Sequence, residues 1–317
     1  MQRDSQAWPA PGDDLRVAAA QACLDAAGEG SPGENPAAES LDEAAAAADE
    51  AALARDDEPA ARAKKPSRRR VLAAKKAART RAENNRLDAM WKHERELWRA
   101  GCQAIAGVDE SGVGPLAGPV VAAAAILPGD FKVRGFWECK RLLRDKRPHF
   151  YGIIMDRAIA VAVGIVEVDE IDRINIHQAA LKAMRLALSG LQTRPDSALV
   201  DGFSIPGLDI FQRPVVDGDV YSMSIAAASV IAKVTRDRIM ERLDRLYPGY
   251  GFASHKGYGT RAHYRALVTL GPCEAHRRSF GPVMRALQPQ VSAEDAESLA
   301  DAAVDLADAC ADVVGDL

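Results

Sequence analysis

Four carboxylates stand where short apolar runs end. Asp109 and Glu110 close the run IAGVD at 105–109, and Asp201 closes DSALVDG at 196–202. Asp219 lies in the loop Val216-Asp217-Gly218-Asp219, just before a long helical segment. Charges at the ends of strands reach one edge of a sheet when those strands are neighbours. Several carboxylates packed together repel, and cations relieve the repulsion. Hard oxygen ligands that leave room for water suit Mg²⁺ or Mn²⁺. Two such ions about 3.5–4 Å apart can activate a water and stabilise the leaving oxygen of a phosphodiester. Capping or surface charge is the ordinary role for any one of the 45 acidic residues, and spacing alone leaves both readings open.

Two further groups could serve the same chemistry. Gly112-Val113-Gly114 follows the first carboxylates directly. Glycines let backbone N–H groups approach an anion or a sugar closely, although a plain hairpin turn has the same pattern. Tyr258 sits in His255-Lys256-Gly257-Tyr258-Gly259-Thr260, among basic residues. An aromatic ring there can stack on a sugar or base while cations hold phosphates, or it can simply pack its loop. His276-Arg277-Arg278-Ser279 is another basic cluster, for which solvated surface is the plain alternative.

The elements that must position these residues lie in the middle of the chain. Residues 105–109 and 118–127 read as strands joined tightly enough for an antiparallel hairpin. Residues 144–158 have helical periodicity, and 160–168 read as a third strand. Asp169-Glu170-Ile171-Asp172 opens a helix that continues from Ile176 to Leu191. Residues 196–202 are a buried strand. Residues 222–247 form a long helix, with Ser222 or Ser224 as its N-cap. Tyr247 to Gly251 is a loop, and short helices follow. Hairpin strands followed by alternating helix and strand predict an α/β domain on a mixed sheet.

The chain has 317 residues and a net charge of −4, but the charge is arranged in blocks. Residues 1–60 carry 14 Asp/Glu against 3 Lys/Arg, and 61–86 carry 11 Lys/Arg against one Glu. Residues 288–317 carry 8 Asp/Glu and no Lys/Arg. This divides the chain into an acidic, Ala-rich disordered tail (1–60), a basic linker or phosphate-binding arm (61–86), a folded domain (87–287) and an acidic C-terminal tail (288–317). No run approaches the ~18 apolar residues of a membrane span. Asp4, Asp13 and Asp14 argue against a secretory leader. Five scattered cysteines form no CxxC pair, so neither a disulfide framework nor a cysteine zinc site is expected. A reducing cytoplasm is the expected setting.

Five blocks occur in the order found in ribonuclease HII and resemble that family. They are AGVDESGVGPLAGPVVAAAAIL (106–127), VEVDEIDRINIHQAALKAM (166–184), LVDG with PGL (199–208), GDVYSMSIAAASVIAKVTRDRIM (218–240), and YPGYGFASHKGYGTRAHYRAL with GPCEAHRRSF (247–280). Together they cover nearly all of 104–283. The resemblance implies an RNase H-like fold: a mixed β-sheet flanked by helices, with a helical C-terminal part. It implies an endonuclease that cuts the RNA strand of RNA–DNA hybrids and nicks duplex DNA 5′ of an embedded ribonucleotide. Products would carry 3′-hydroxyl and 5′-phosphate ends. It places the family's metal-binding, catalytic carboxylates on Asp109, Glu110, Asp201 and Asp219, with Mn²⁺ or Mg²⁺ as cofactor. It places substrate contacts on Gly112, Val113, Gly114, Lys140, Ser222 and Tyr258. The turn would sense the ribose 2′-hydroxyl, which distinguishes RNA from DNA, and Tyr258 would stack on the adjacent sugar on the DNA side.

The partners implied are hybrid and ribonucleotide-containing duplexes, met by a monomer away from membranes. A protein partner for the charged tails is left unnamed. Three positions depart from the family pattern. Val113 replaces the usual arginine of Gly-Arg-Gly, Glu138-Cys139-Lys140 replaces Asp-Ser-Lys, and Asp217 replaces the lysine of Lys-Gly-Asp. None of these removes a metal ligand. The alternatives are a ribonuclease HIII-like enzyme, for which 1–86 are too polar to form a further folded domain, and a catalytically weak hybrid-binding protein.

Overall fold

The computed structural model describes residues 68–136 and 145–287. Lys140, Glu138 and Cys139, both tails and the first part of the basic segment lie outside the described residues. Among the described residues, five strands form one sheet: β1 (Ile105–Ser111), β2 (Val120–Ile126), β3 (Ala160–Val166), β4 (Ser197–Asp201) and β5 (Phe211–Val215). Their spatial order is β3-β2-β1-β4-β5. β1–β2 and β2–β3 are antiparallel, while β1–β4 and β4–β5 are parallel, which makes the sheet mixed as expected.

Helices cover both faces. On one lie α4 (Val168–Ile174) and α5 (Ile176–Ser189), and on the other α3 (Arg147–Arg157) and the long α7 (Met223–Leu246). β2 shows why the helices can come so close. Its side chains alternate between faces, with Ala122 and Ala124 in the core beneath α5 and Ala123 and Ala125 in the core beneath α7. Small residues on both faces draw the helices onto the backbone. At Gly107 of β1 there is no room for a side chain, since a Cβ there would lie 2.0 Å from the carbonyl carbon of Ser224 on α7. The first turn of α7 is therefore pressed onto β1, two residues before Asp109.

Three features go beyond the sequence reading. The segment read as one helix over 169–191 is two, broken at Asn175 (φ 69°, ψ 164°), whose side chain caps α5 by accepting from Gln178 N–H. β5 carries Pro214 and two polar residues and has no alternating apolar pattern, so it passed unnoticed; it survives as an edge strand on β4. The described part of the basic segment is helical: α1 (Arg68–Ala89) runs without interruption across the expected boundary at residue 86. Its last turns dock on the domain. Leu87 joins the core, Glu83 accepts from Gly135 N–H, and Arg86 bonds Glu83 and the carbonyl of Phe136.

The helix α2 (Lys92–Arg99) anchors α7. Glu94 is 1% exposed. Its Oε1 accepts from Ser222 Oγ (2.6 Å), Ser224 Oγ (2.7 Å) and Ser224 N–H (3.0 Å). A carboxylate at a helix N-terminus meets unpaired N–H groups and the positive end of the dipole. Glu94→Ala is expected to cost about 3 kcal/mol of unfolding free energy, because it leaves buried donors unpaired. Urea denaturation read by circular dichroism checks this.

Candidate active site

β1 and β4 run parallel in register, with Val108 opposite Val200. The next residue of each, Asp109 and Asp201, therefore emerges at the same edge. Glu110 follows on β1. Asp219 arrives on α6 (Gly218–Tyr221), a single turn after β5. This turn is tied to β4 because Gly218 N–H donates to Asp201 Oδ1 at 2.7 Å. All four carboxylates line one cleft of about 290 Å³. The sequence expectation that strand ends would gather them is met.

The same cleft is lined by Ser111, Gly112, Val113, Gly114, Arg147, Ser229, Lys233 and Tyr258. Asp109 is 6% exposed. Burial raises its carboxyl well above the ordinary range, and the charges of Glu110, Asp201 and Asp219 raise it further; a hydrogen bond with Ser229 offsets part of this. The donor set is oxygen-rich and anionic, the chemistry that suits a hard divalent cation. Among the described residues, no three His, Cys, Asp or Glu side chains stand close enough together to hold a metal ion by themselves.

The turn and the tyrosine face each other. A Cβ on Gly114 would sit 3.9 Å from Tyr258 Cε1. Tyr258 is 44% exposed, with Lys233 Nζ 5.9 Å from its ring centroid. The loop beneath Tyr258 rests on histidines. His263 Nδ1 lies 2.9 Å from Tyr258 O, and His263 Nε2 lies 3.0 Å from His276 Nε2. Cys273 N–H donates to His276 Nδ1 at 3.0 Å. This order of acceptors gives one consistent set of tautomers with both rings neutral: His276 Nε2–H donates to His263 Nε2, and His263 Nδ1–H donates to Tyr258 O.

Ser222 is placed elsewhere. It is fully buried, caps α7 by accepting from Ile225 N–H, and bonds Glu94, so it is a structural residue and not a cleft residue. Sequence reasoning missed Ser229, Lys233 and Arg147. The first two were legible as an i, i+4 pair on one face of a predicted helix. Arg147 carried no such signal. Arg277, read with its neighbours as a basic cluster, is fully buried behind the turn.

Comparison with known proteins agrees with this geometry. A family model for ribonuclease HII matches residues 106–283. A ribonuclease HII of Anaeromyxobacter sp. (strain Fw109-5) is 47% identical over 235 residues, covering 73% of this chain and 75% of the relative. A ribonuclease HII of Myxococcus xanthus (strain DK1622) is 50% identical over 210 residues, covering 66% and 72%. Among solved structures, the ribonuclease H2 from Pyrococcus horikoshii OT3 superposes with a TM-score of 0.51 at 24% identity, over 58% of this chain and 97% of that one. That likeness supports the RNase H-like fold.

Proposed function

The chain belongs to the ribonuclease HII family, and from that premise we propose that it is an endonuclease. It cuts the RNA strand of RNA–DNA hybrids and nicks duplex DNA 5′ of an embedded ribonucleotide, leaving 3′-hydroxyl and 5′-phosphate ends. The observation that carries this is the gathering of Asp109, Glu110, Asp201 and Asp219 in one cleft with the glycine turn and Tyr258. Mg²⁺ or Mn²⁺ bound by these carboxylates would supply an activated water and charge neutralisation at the leaving 3′ oxygen.

The chain's own residues supply the rest. Asp109 holds its carboxylate through Glu110 N–H (2.7 Å) and Ser229, which sets its orientation toward the cleft. Lys233 and Arg147 put positive charge on the cleft wall, where a phosphodiester backbone would lie. The 112–114 turn meets the ribose, and the Tyr258 ring stacks on the neighbouring deoxyribose. Tyr258→Ala is expected to reduce the preference for a ribo–deoxy junction on the order of tenfold. Competition between a junction duplex and a uniform hybrid, with thermal unfolding as the folding control, measures it.

The exposed Lys75, Lys76, Arg79 and Arg81 of α1 extend the positive surface beyond the domain. Replacing all four with glutamine is expected to lower the magnitude of the slope of log affinity against log salt by up to about 3.6, since each phosphate contact contributes roughly 0.9. A salt titration of duplex binding reads it. The function itself is tested on a hybrid, a DNA duplex and single-stranded RNA, each with Mg²⁺, Mn²⁺ or chelator. RNA-strand cleavage of the hybrid alone, abolished by chelator, is expected. Binding without cleavage under every metal would favour the weak hybrid-binding alternative.

A further inference from the structure

Two fully buried arginines lie behind the cleft, and neither has a carboxylate within salt-bridge distance among the described residues. Their partners are main-chain carbonyls. Arg236 donates to Pro119 O (3.0 Å), Lys256 O (3.0 Å) and Ala117 O (3.1 Å). Arg277 donates to Gly118 O (2.9 Å), Val113 O (2.9 Å) and Gly112 O (2.5 Å). A buried guanidinium is costly to desolvate, and here its donors are spent on the two carbonyls of the glycine turn and on Gly118.

Peptide planarity turns this into a statement about the cleft. In a trans peptide the C=O and the following N–H point in opposite directions, and no peptide is cis among the described residues. The carbonyls of Gly112 and Val113 face the buried Arg277. The N–H groups of Val113 and Gly114, on the far sides of those peptides, face away from it. Both residues line the cleft, and among the described residues neither N–H has a main-chain partner. Gly112 permits the arrangement. Its φ is +99°, and a Cβ would lie 2.1 Å from Arg236 Nε. The turn is also fastened to the tyrosine loop, since Leu116 N–H donates to Gly257 O (2.8 Å) and Leu116 O accepts from Arg277 N–H (2.9 Å).

We propose that Arg277 is a positioning residue for ribose recognition: by holding the carbonyls of Gly112 and Val113, it aims the N–H groups of Val113 and Gly114 at the 2′-oxygen of the substrate. This rests on the functional reading above, in which the turn meets the ribose. Burial lowers the Arg277 guanidinium to about 9, so it remains charged at neutral pH.

The test is Arg277→Lys, whose compact ammonium cannot span three carbonyls. Two duplexes are compared, one with a ribonucleotide and one with a 2′-fluoro nucleotide at the same position, because fluorine is a poor acceptor. The ribo-to-fluoro ratio of kcat is expected to fall about tenfold, with KM for the ribonucleotide duplex changed by less than about threefold. A merely structural role would lower both rates alike and leave the ratio intact, which would overturn the proposal. Backbone amide NMR shifts supply a readout independent of cleavage. The Val113 and Gly114 amide resonances should move in the variant while those of α7 are unchanged; unaltered shifts at Val113 and Gly114 would also overturn it. Arg277→Gln, with the same expected signs, serves if the lysine variant does not fold. A wild type indifferent to the 2′-hydroxyl would sink the functional reading, and the amide-shift result would still decide the positioning claim.

Discussion

Asp109→Asn is expected to lower turnover by at least about 10³-fold while changing hybrid affinity by less than about threefold. The size follows from the site. Metal-assisted charge stabilisation contributes several kcal/mol, and each 1.36 kcal/mol is a factor of ten. Asp109 lies at the centre of the carboxylate group, buried and facing the charges of Glu110, Asp201 and Asp219. The same substitution carries a second signature. The Asp109 carboxyl is raised in the fold, so without metal its ionised form opposes folding above the ordinary carboxylate range. Asparagine removes that repulsion, and the metal-free variant should melt no lower than the wild type. Addition of Mg²⁺ or Mn²⁺ should raise the wild-type Tm and leave the variant's almost unmoved. Single-turnover kinetics and thermal unfolding in parallel test both statements. Full activity in Asp109→Asn would remove the basis of the assignment.

Acid should loosen the tyrosine loop before it reaches the carboxylates. His263 and His276 are buried, and burial lowers them to about 3 and about 4 from 6.5. Neutral imidazole is required, because His263 Nε2 and His276 Nδ1 both act as acceptors. Groups lowered in the fold contribute stability that is complete above 6.5 and is lost as pH falls toward 4 and 3. At pH 4.5 each stands two pH units below its unfolded value, a loss of about 2.7 kcal/mol apiece and about 5 kcal/mol for the pair. A His263→Gln, His276→Gln double variant should start less stable at pH 7 and show a shallower loss between pH 6.5 and 4.5. Parallel stability-versus-pH curves for the two proteins would contradict the account.

The parts of the fold legible in the sequence were those set by local pattern. Uninterrupted runs such as 118–127 read as buried strands, and Ser222 was readable as a cap because short hydroxyl side chains suit that position. The strand-end positions of Asp109 and Asp201 were legible, but that their strands are neighbours, and so share an edge, came from the β1–β4 pairing. What stayed hidden depended on contacts between distant segments. β5 exists because β4 offers it an edge, not because Phe211–Val215 alternates. Arg277 reads as surface in His276-Arg277-Arg278-Ser279, and only the arrival of Gly112, Val113 and Gly118 from 159 or more residues away makes it a core residue. Ser222 illustrates the converse. A residue taken for a substrate contact is fully engaged by Glu94, 128 positions away.

The central claim is tested most directly by where the wild-type chain cuts a DNA duplex containing one ribonucleotide. The expected result is a single nick on the 5′ side of that ribonucleotide, present with Mg²⁺ or Mn²⁺ and absent with chelator, leaving 3′-hydroxyl and 5′-phosphate ends. Cleavage that ignores the ribonucleotide, or that persists in chelator, would contradict the account.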